Sequence, residues 1–320
     1  MPADDHAPHA RASTIWAGLI TVYVFWGTTY LAIDRSNQTI PPLVGPAIRF
    51  LVAGGVLMAL SRVRGGWRRP FPREWVGASI VGVLLLFGGN ALVATAEDLG
   101  VGTGIVALII ALVPLWIALI DRVVLRSAPM GWRVVVGLAG GFGGAALLVA
   151  GELKGEARPL GLSVAVIASL SWSSGSLASR EVPLPADALQ ASGMQQVVGG
   201  FVILIAAAVS GQLGDLDVGR ISAGSAVALL YLIVIGSLLT FSTYLWLLRN
   251  ARTSLVSTYA YVNPVVAVTL GWIVLDEIVT ARTLIAGGVI LVAVALIVSA
   301  GGAARSRNAE RVATAEAEAR

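Results

Sequence analysis

The sequence predicts an all-α membrane protein of ten transmembrane helices, arranged as two inverted five-helix repeats. Three observations lead there. Of 320 residues, 57% are hydrophobic and only 12% are charged, against about 25% charged in an ordinary soluble domain. Ten apolar runs of about 20 residues each can cross a roughly 30 Å hydrocarbon core at 1.5 Å per residue. The two halves of the chain also align with one another. A shift of 150 matches Pro114 to Pro264, Leu125 to Leu275, Gly137 to Gly287 and Gly151 to Gly301; a shift of 146 matches Trp26 to Trp172, Leu31 to Leu177, Arg49 to Gln195 and Gly54 to Gly200.

Residues 1–14 form a polar leader, and the first apolar run extends from Ile15 to Ile33. Asp34 and Arg35 interrupt it with no small-residue cleavage site, so it is expected to stay as an uncleaved helix. Further runs occupy 43–61, 75–95, 101–120, 132–151, 160–179, 189–209, 225–248, 254–275 and 283–300. Repeat 1 therefore covers 15–151, repeat 2 covers 160–301, and 302–320 is a solvated tail. Five helices per repeat is an odd number, so the halves face opposite ways, and a site is expected near the midplane where they meet.

Basic residues orient the helices. Sixteen arginines fall on the leader's side, including Arg62, Arg64, Arg68, Arg69, Arg73 and Arg180. The other side holds five basic residues: Arg35, Lys154, Arg158, Arg220 and Arg282. The positive-inside rule then puts both termini in the cytoplasm of an inner (cytoplasmic) membrane protein.

Composition excludes several chemistries. The chain has no cysteine, and its two histidines, His6 and His9, lie in the leader. No thiol nucleophile, thiolate metal site or intramembrane imidazole is available. There is no HExxH and no G-x-x-x-x-G-K-[ST] phosphate loop, so neither a metalloprotease nor ATP-driven transport is supported. No catalytic residue, metal or cofactor is expected. The net charge of +4 reflects membrane-edge arginines and not a nucleic-acid surface. Expected partners are the lipid bilayer and a small-molecule substrate, for a monomer or homodimer.

The stretch Tyr259 to Glu277, YAYVNPVVAVTLGWIVLDE, is the first candidate for function. Pro264 removes a backbone donor and frees the Ala260 carbonyl, a helix-break expected to be mirrored at Pro114. Tyr259 and Asn263, one turn apart, project near that point. In lipid such a break is tolerated where it is buried in protein or lines a cavity. Asp276 and Glu277, which close the run, are not assigned to transport.

Arg49 lies six residues inside the second run, about 9 Å from its end. A charge at that depth needs a partner. It is expected to anchor an anionic substrate group, or to be a structural arginine bound to backbone carbonyls. Its repeat mate Gln195 is neutral. Glu97, two turns from Asn90 on one helix face, is a proton-coupling candidate or, with Asp98, a solvated helix end. Trp26, Tyr30, Trp172, Tyr244, Tyr259 and Tyr261 are candidates for a cavity wall or for helix packing, with Trp26 and Trp172 equivalent in the two repeats. Trp16, Trp75, Trp132 and Trp272 suit the interfacial belt.

The segments WGTTYLAI (26–33), PPLVGPAIRFLVAG (41–54), GGNALVATAE (88–97), SWSSGS (171–176) and above all YAYVNPVVAVTLG (259–271) resemble the drug/metabolite transporter superfamily, EamA type, and within it the YedA-like inner-membrane permeases. The resemblance spans residues 14–302 and implies two EamA repeats and export of small metabolites, amino-acid-like compounds among them, or drugs. The expected function is a secondary transporter working by alternating access, with candidate substrate-binding residues Trp26, Tyr30, Arg49, Asn90, Trp172, Gln195, Tyr259 and Asn263. The alternatives are a membrane scaffold or channel and, with less chemistry to support it, an intramembrane enzyme.

Overall fold

The computed structural model describes residues 12–123, 131–152, 158–251, 253–256, 258–297 and 299. The greater part of the leader, the tail 302–320 and residues such as Arg126 lie outside them. Among the described residues every regular element is helical. Seven helices are long and apolar enough to cross a membrane, and three shorter apolar ones accompany them.

In chain order α1 is Ala12–Asn37 and α2 is Val44–Val63. The third helix, α3, is Pro72–Asp98. The fourth, α4, has two pieces, Thr103–Ile110 and Val113–Val123. Then come α5, Trp132–Glu152, α6, Arg158–Glu181, and α7, Ala188–Val209. The eighth, α8, starts as Ala223–Tyr231 and ends as Ser242–Asn250. The ninth, α9, is split into Thr253–Val256 and Tyr259–Val274, and α10 is Ala281–Ile297. Side chains fix several starts. Asp187 accepts from the Gln190 amide at 2.7 Å and Ser222 from the Ser225 amide at 3.1 Å, each satisfying one donor that a helix N-terminus leaves free.

Two stretches depart from α geometry. Val83–Ala91 within α3 and Leu232–Phe241 within α8 are π-helical, and they stand about 150 residues apart, as the repeat requires. Each is held by a side chain near its end that bonds the carbonyl five residues back. Asn90 donates to Leu85 at 3.2 Å, and Thr240 donates to Ile235 at 2.7 Å. A π stretch is wider than an α-helix and is frequent at functional sites. Here the first presents Gly88 and Gly89 to Ser171 and Trp172 of α6, with no room for a Cβ at either glycine.

Packing runs between the halves. α1 lies against α9 and π-helical α8, while α2 crosses α7 and α3 borders both α6 and α7. The α2–α7 crossing is a backbone-to-backbone approach. A Cβ at Gly54 would stand 2.8 Å from the Gly193 carbonyl oxygen, and one at Gly193 would stand 2.9 Å from that of Gly54. Small residues that admit a close helix approach are the usual solution in membranes, where lipid gives helices no hydrophobic reason to associate. Trp16, Trp75, Trp132 and Trp272 are all exposed, in keeping with a lipid-facing belt.

The helix interruption near Pro264 differs from expectation. α9 runs through Pro264 unbroken, and its break lies between Val256 and Tyr259, where Thr258 forms a turn. The missing proline donor leaves the Ala260 carbonyl without its helical partner, yet the helix continues past it to Val274. In α4 the break is at Ala111–Leu112, and the new helical piece begins at Val113, so Pro114 sits in its first turn, where the missing donor would be unsatisfied anyway.

Candidate functional site

Four rings meet where the halves join. Trp26 of α1 lies 4.8 Å from Tyr244 of α8, 5.1 Å from Tyr259 of α9 and 5.8 Å from Trp172 of α6, measured between centroids. Tyr244 and Tyr259 pack edge to face at 5.7 Å. Tilted and edge contacts of this kind each add about 0.5–1.5 kcal/mol beyond area burial. The Tyr259 hydroxyl interacts with the Trp172 side chain and with Tyr244, which also faces Ser176. The sequence named all four rings as candidates, and the structure gathers them into one cluster.

A cavity of about 230 Å³ opens beside the cluster. Pro114, Ser176, Arg180, Gln195, Tyr244 and Tyr259 line it, so α4 of the first half faces α6, α7, α8 and α9 of the second. Gln195 is buried and its Oε1 has no hydrogen-bond partner. Arg180, one residue before the end of α6, is exposed. The cavity therefore extends from the aromatic cluster to the molecular end that carries the 62–73 arginines, here called the basic end. At that end Ser61 donates to Asp187 at 2.7 Å, Gln190 donates to the Arg68 carbonyl at 2.6 Å, and Arg68 pairs with Glu74.

The opposite end is laced shut. The chain turns at Asp276, whose φ is 54°, and Glu277 reaches back to the start of α4. Its carboxylate accepts from the Thr103 amide at 2.6 Å, the Thr103 hydroxyl at 2.8 Å and the Gly104 amide at 3.2 Å. A carboxylate at a helix N-terminus satisfies orphan donors and meets the positive end of the helix dipole. Gly271 is required there, because a Cβ would collide with Glu277. Nearby, Asn37 donates to the Ala94 carbonyl at 2.9 Å, Ser225 to the Arg35 carbonyl at 2.8 Å, and the Leu43 amide to Gln212 at 2.9 Å.

Arg49 and Asn90 stand apart from the main cavity. Both border a separate void of about 10 Å³, no more than one water needs. Arg49 is 4% exposed, donates from Nε to the Ser237 hydroxyl at 2.8 Å and lies 4.8 Å from the Phe50 ring centroid. Gly236, in the π stretch of α8, leaves space for the guanidinium, since a Cβ there would approach Nη2 to 2.9 Å. Asn263 is buried beside α1 with Oδ1 unpartnered and is not among the cavity residues. Tyr30 packs on the core cluster that includes Ala260.

Glu97 is buried, not solvated as a helix end would be; Asp98 beside it is exposed. Neither Glu97 oxygen has a hydrogen-bond partner among the described residues; its charged neighbours are Asp34 and Glu277, and Tyr30 is also near. Ser176, Arg180 and Thr240 were not singled out from sequence. The signal for the first two was present: Trp172, Ser176, Ser179 and Arg180 follow i, i+4, i+7, i+8 and so share one face of α6.

These features define a polytopic helical membrane protein with a solute-sized cavity between two related halves. Comparison with known proteins gives the family: the EamA-like transporter family matches twice, over residues 13–150 and 159–299, and the chain belongs to it. The inner membrane transporter YedA of Escherichia coli strain K12 is 35% identical over 286 residues, covering 88% of this chain and 90% of that protein. The protein PecM of Dickeya dadantii is 28% identical, covering 85% and 88%. A solved crystal structure 21% identical in sequence superposes with a TM-score of 0.60 over 90% of this chain and 98% of its own, which bears on the fold alone.

Proposed function

We propose that the chain is a secondary transporter that exports small metabolites, amino-acid-like compounds among them, across the cytoplasmic membrane by alternating access. The observation that carries this reading is the cavity of about 230 Å³ at the junction of the halves. Its volume is below the roughly 300–1,000 Å³ of drug-sized ligand sites, which favours small metabolites over drugs. Ten spanning helices in two inverted repeats agree with the double family match and with the paired π stretches. The arginines of the basic end favour a cytoplasmic position for it, and the inner-membrane location rests on the likeness to YedA. In that orientation the cavity opens to the cytoplasm and is closed on the far side, the state that loads a solute for export.

Proton coupling is assigned to Glu97. A carboxylate buried with no partner carries a penalty of several kcal/mol, which a proton removes and which access to water relieves. Tyr30 lies near both Glu97 and Tyr259 of the aromatic cluster. Opening of the far end would expose Glu97 to solvent and let it take up a proton from that side as the solute leaves; return to the cytoplasm-open state would carry the proton inward, and its release there would accompany loading of the next solute.

Everted membrane vesicles test both parts. With a panel of radiolabelled amino acids and other small metabolites, they are expected to accumulate at least one compound under an imposed pH gradient. Tyr259→Ala should abolish this without loss of protein from the membrane. Glu97→Gln should keep solute exchange at equal concentrations while losing accumulation driven by the gradient. Absence of transport for the whole panel contradicts the exporter reading; gradient-driven accumulation by Glu97→Gln at the wild-type level removes the proton assignment alone.

A further inference from the structure

The main cavity has a charge that the candidate residues above did not include. Among the described residues that line it Arg180 is the only charged one; no described aspartate or glutamate borders the space, and Glu181, the next residue, is not part of the described wall. Arg180 has no hydrogen bond or ion pair among the described residues, and it lies near enough to Tyr244 for its charge to act on that ring's hydroxyl. A cavity with one cation and no anion repels cationic solutes and attracts anionic ones. The guanidinium is planar, always charged, and offers paired donors that match a carboxylate.

A second polar side chain borders the same space. Gln195 is 2% exposed and lines the cavity, and its Oε1 is buried with no partner. An acceptor left unsatisfied in a buried site costs about 1–3 kcal/mol, a cost that a donor on a bound solute would remove. Between the two polar groups the wall is formed by Tyr244, Tyr259, Leu245 and Val256, which suits an apolar body.

We propose that Arg180 and Gln195 are the specificity-determining pair of this cavity, selecting a small organic monocarboxylate that also carries a hydrogen-bond donor and a short apolar body. The carboxylate pairs with Arg180 at the cavity mouth, the donor reaches Gln195 Oε1, and the apolar part lies on the tyrosines. A phosphate is disfavoured, because a single guanidinium provides one fork where phosphate sites gather several donors or a helix N-terminus. Arg49, the charge that the sequence brought forward, is engaged by Ser237 and lies outside the cavity. The proposal rests on the reading that this cavity is the transport site.

The test is binding to the purified full-length protein, followed by intrinsic tryptophan fluorescence, since Trp26 and Trp172 stand at the cavity's inner end. The probes are small carboxylates, each paired with its own amide; the set includes leucine and leucinamide, 4-methylpentanoate and its amide, and isopentylamine. Carboxylates are expected to bind about tenfold or more tightly than their amides, the size of a charged hydrogen bond against a neutral one. Arg180→Gln should erase that preference, Arg180→Lys should restore part of it, and Gln195→Leu should weaken leucine more than 4-methylpentanoate. Arg180 is exposed and unpaired, so the melting temperature of its variants should equal the wild type's.

A carboxylate preference that survives Arg180→Gln overturns the proposal, as does equal or tighter binding of the amides or of isopentylamine. In these last cases, binding that is blocked by modifying a Ser179→Cys variant leaves the transport cavity standing and removes only the anion assignment. Failure of every probe to bind, with vesicle transport of another compound intact, also removes the anion assignment; failure of binding and transport together removes both.

Discussion

The two ends of the molecule are built differently from related sequence. At the far end Glu277 ties the end of α9 to the start of α4 through Thr103 and Gly104. At the basic end the equivalent start of α9 is broken between Val256 and Tyr259, and a cavity occupies the space beside it. The first repeat has Ser127 where the second has Glu277, so a carboxylate stands at that place in one half only. A symmetric pair of latches would hold both ends equally. One latch biases the protein toward the state that is closed at the far end, and it does so with a bond set that water can replace when that end opens.

The largest effect on this comparison should come from Gly271→Val. A Cβ at Gly271 already collides with the Glu277 carboxylate, and overpacking costs about 1–3 kcal/mol or more. The latch should be displaced, with the melting temperature reduced and a far-end reporter cysteine at Thr39→Cys becoming more reactive toward a membrane-impermeant maleimide. An unchanged melting temperature would mean that α9 and α4 have slack at this point which the structure does not show.

Arg49→Gln comes next and separates a structural charge from a binding one. It removes the bond to Ser237 and leaves that hydroxyl in a poorly solvated site, for a loss of about 1–3 kcal/mol. Abundance and melting temperature should fall, whereas ligand affinity per folded molecule should hold, because Arg49 does not line the main cavity. A stable variant with weakened binding would return Arg49 to the substrate site.

The smallest effect is expected for Glu277→Gln. Its amide oxygen can still accept the two Thr103 bonds that Oε1 takes, while the weak 3.2 Å bond from the Gly104 amide is lost together with the charge at the α4 N-terminus, the latter worth about 0.3–1 kcal/mol. Stability should change little, while solute-driven opening of the far end should become easier, read as a higher rate of exchange in vesicles. A slower exchange rate would show that the carboxylate serves opening and not closure.

Much of the architecture was legible because membranes impose a coarse code: apolar runs long enough to span became the long helices. The aromatic cluster was legible too, since Trp26 and Trp172 occupy matched repeat positions and their polar neighbours marked them as more than packing. What sequence did not resolve was depth and facing. Arg49 and Gln195 align between repeats, yet one is fastened to a π stretch and the other faces the cavity. π-Helical geometry has no simple period in hydropathy, so the local unwinding at Gly88–Gly89 and Gly236 was invisible. Glu97 looked like a solvated end because its neighbour Asp98 is one; its burial depends on packing from elsewhere in the chain, which sequence alone does not show. Arg180 was hidden by its place at a helix terminus, where positive charge ordinarily reports only membrane orientation.

The central claim is that the cavity opens at the basic end, on the cytoplasmic side, while the far end is closed. Because the protein has no cysteine, a single Ser179→Cys substitution in the cavity wall gives an unambiguous label site. Labelling by a membrane-impermeant maleimide should be rapid in everted vesicles and negligible in intact cells, and a transported solute should protect against it. Rapid labelling in intact cells with none in everted vesicles would contradict the account, because the cavity would then open on the opposite face.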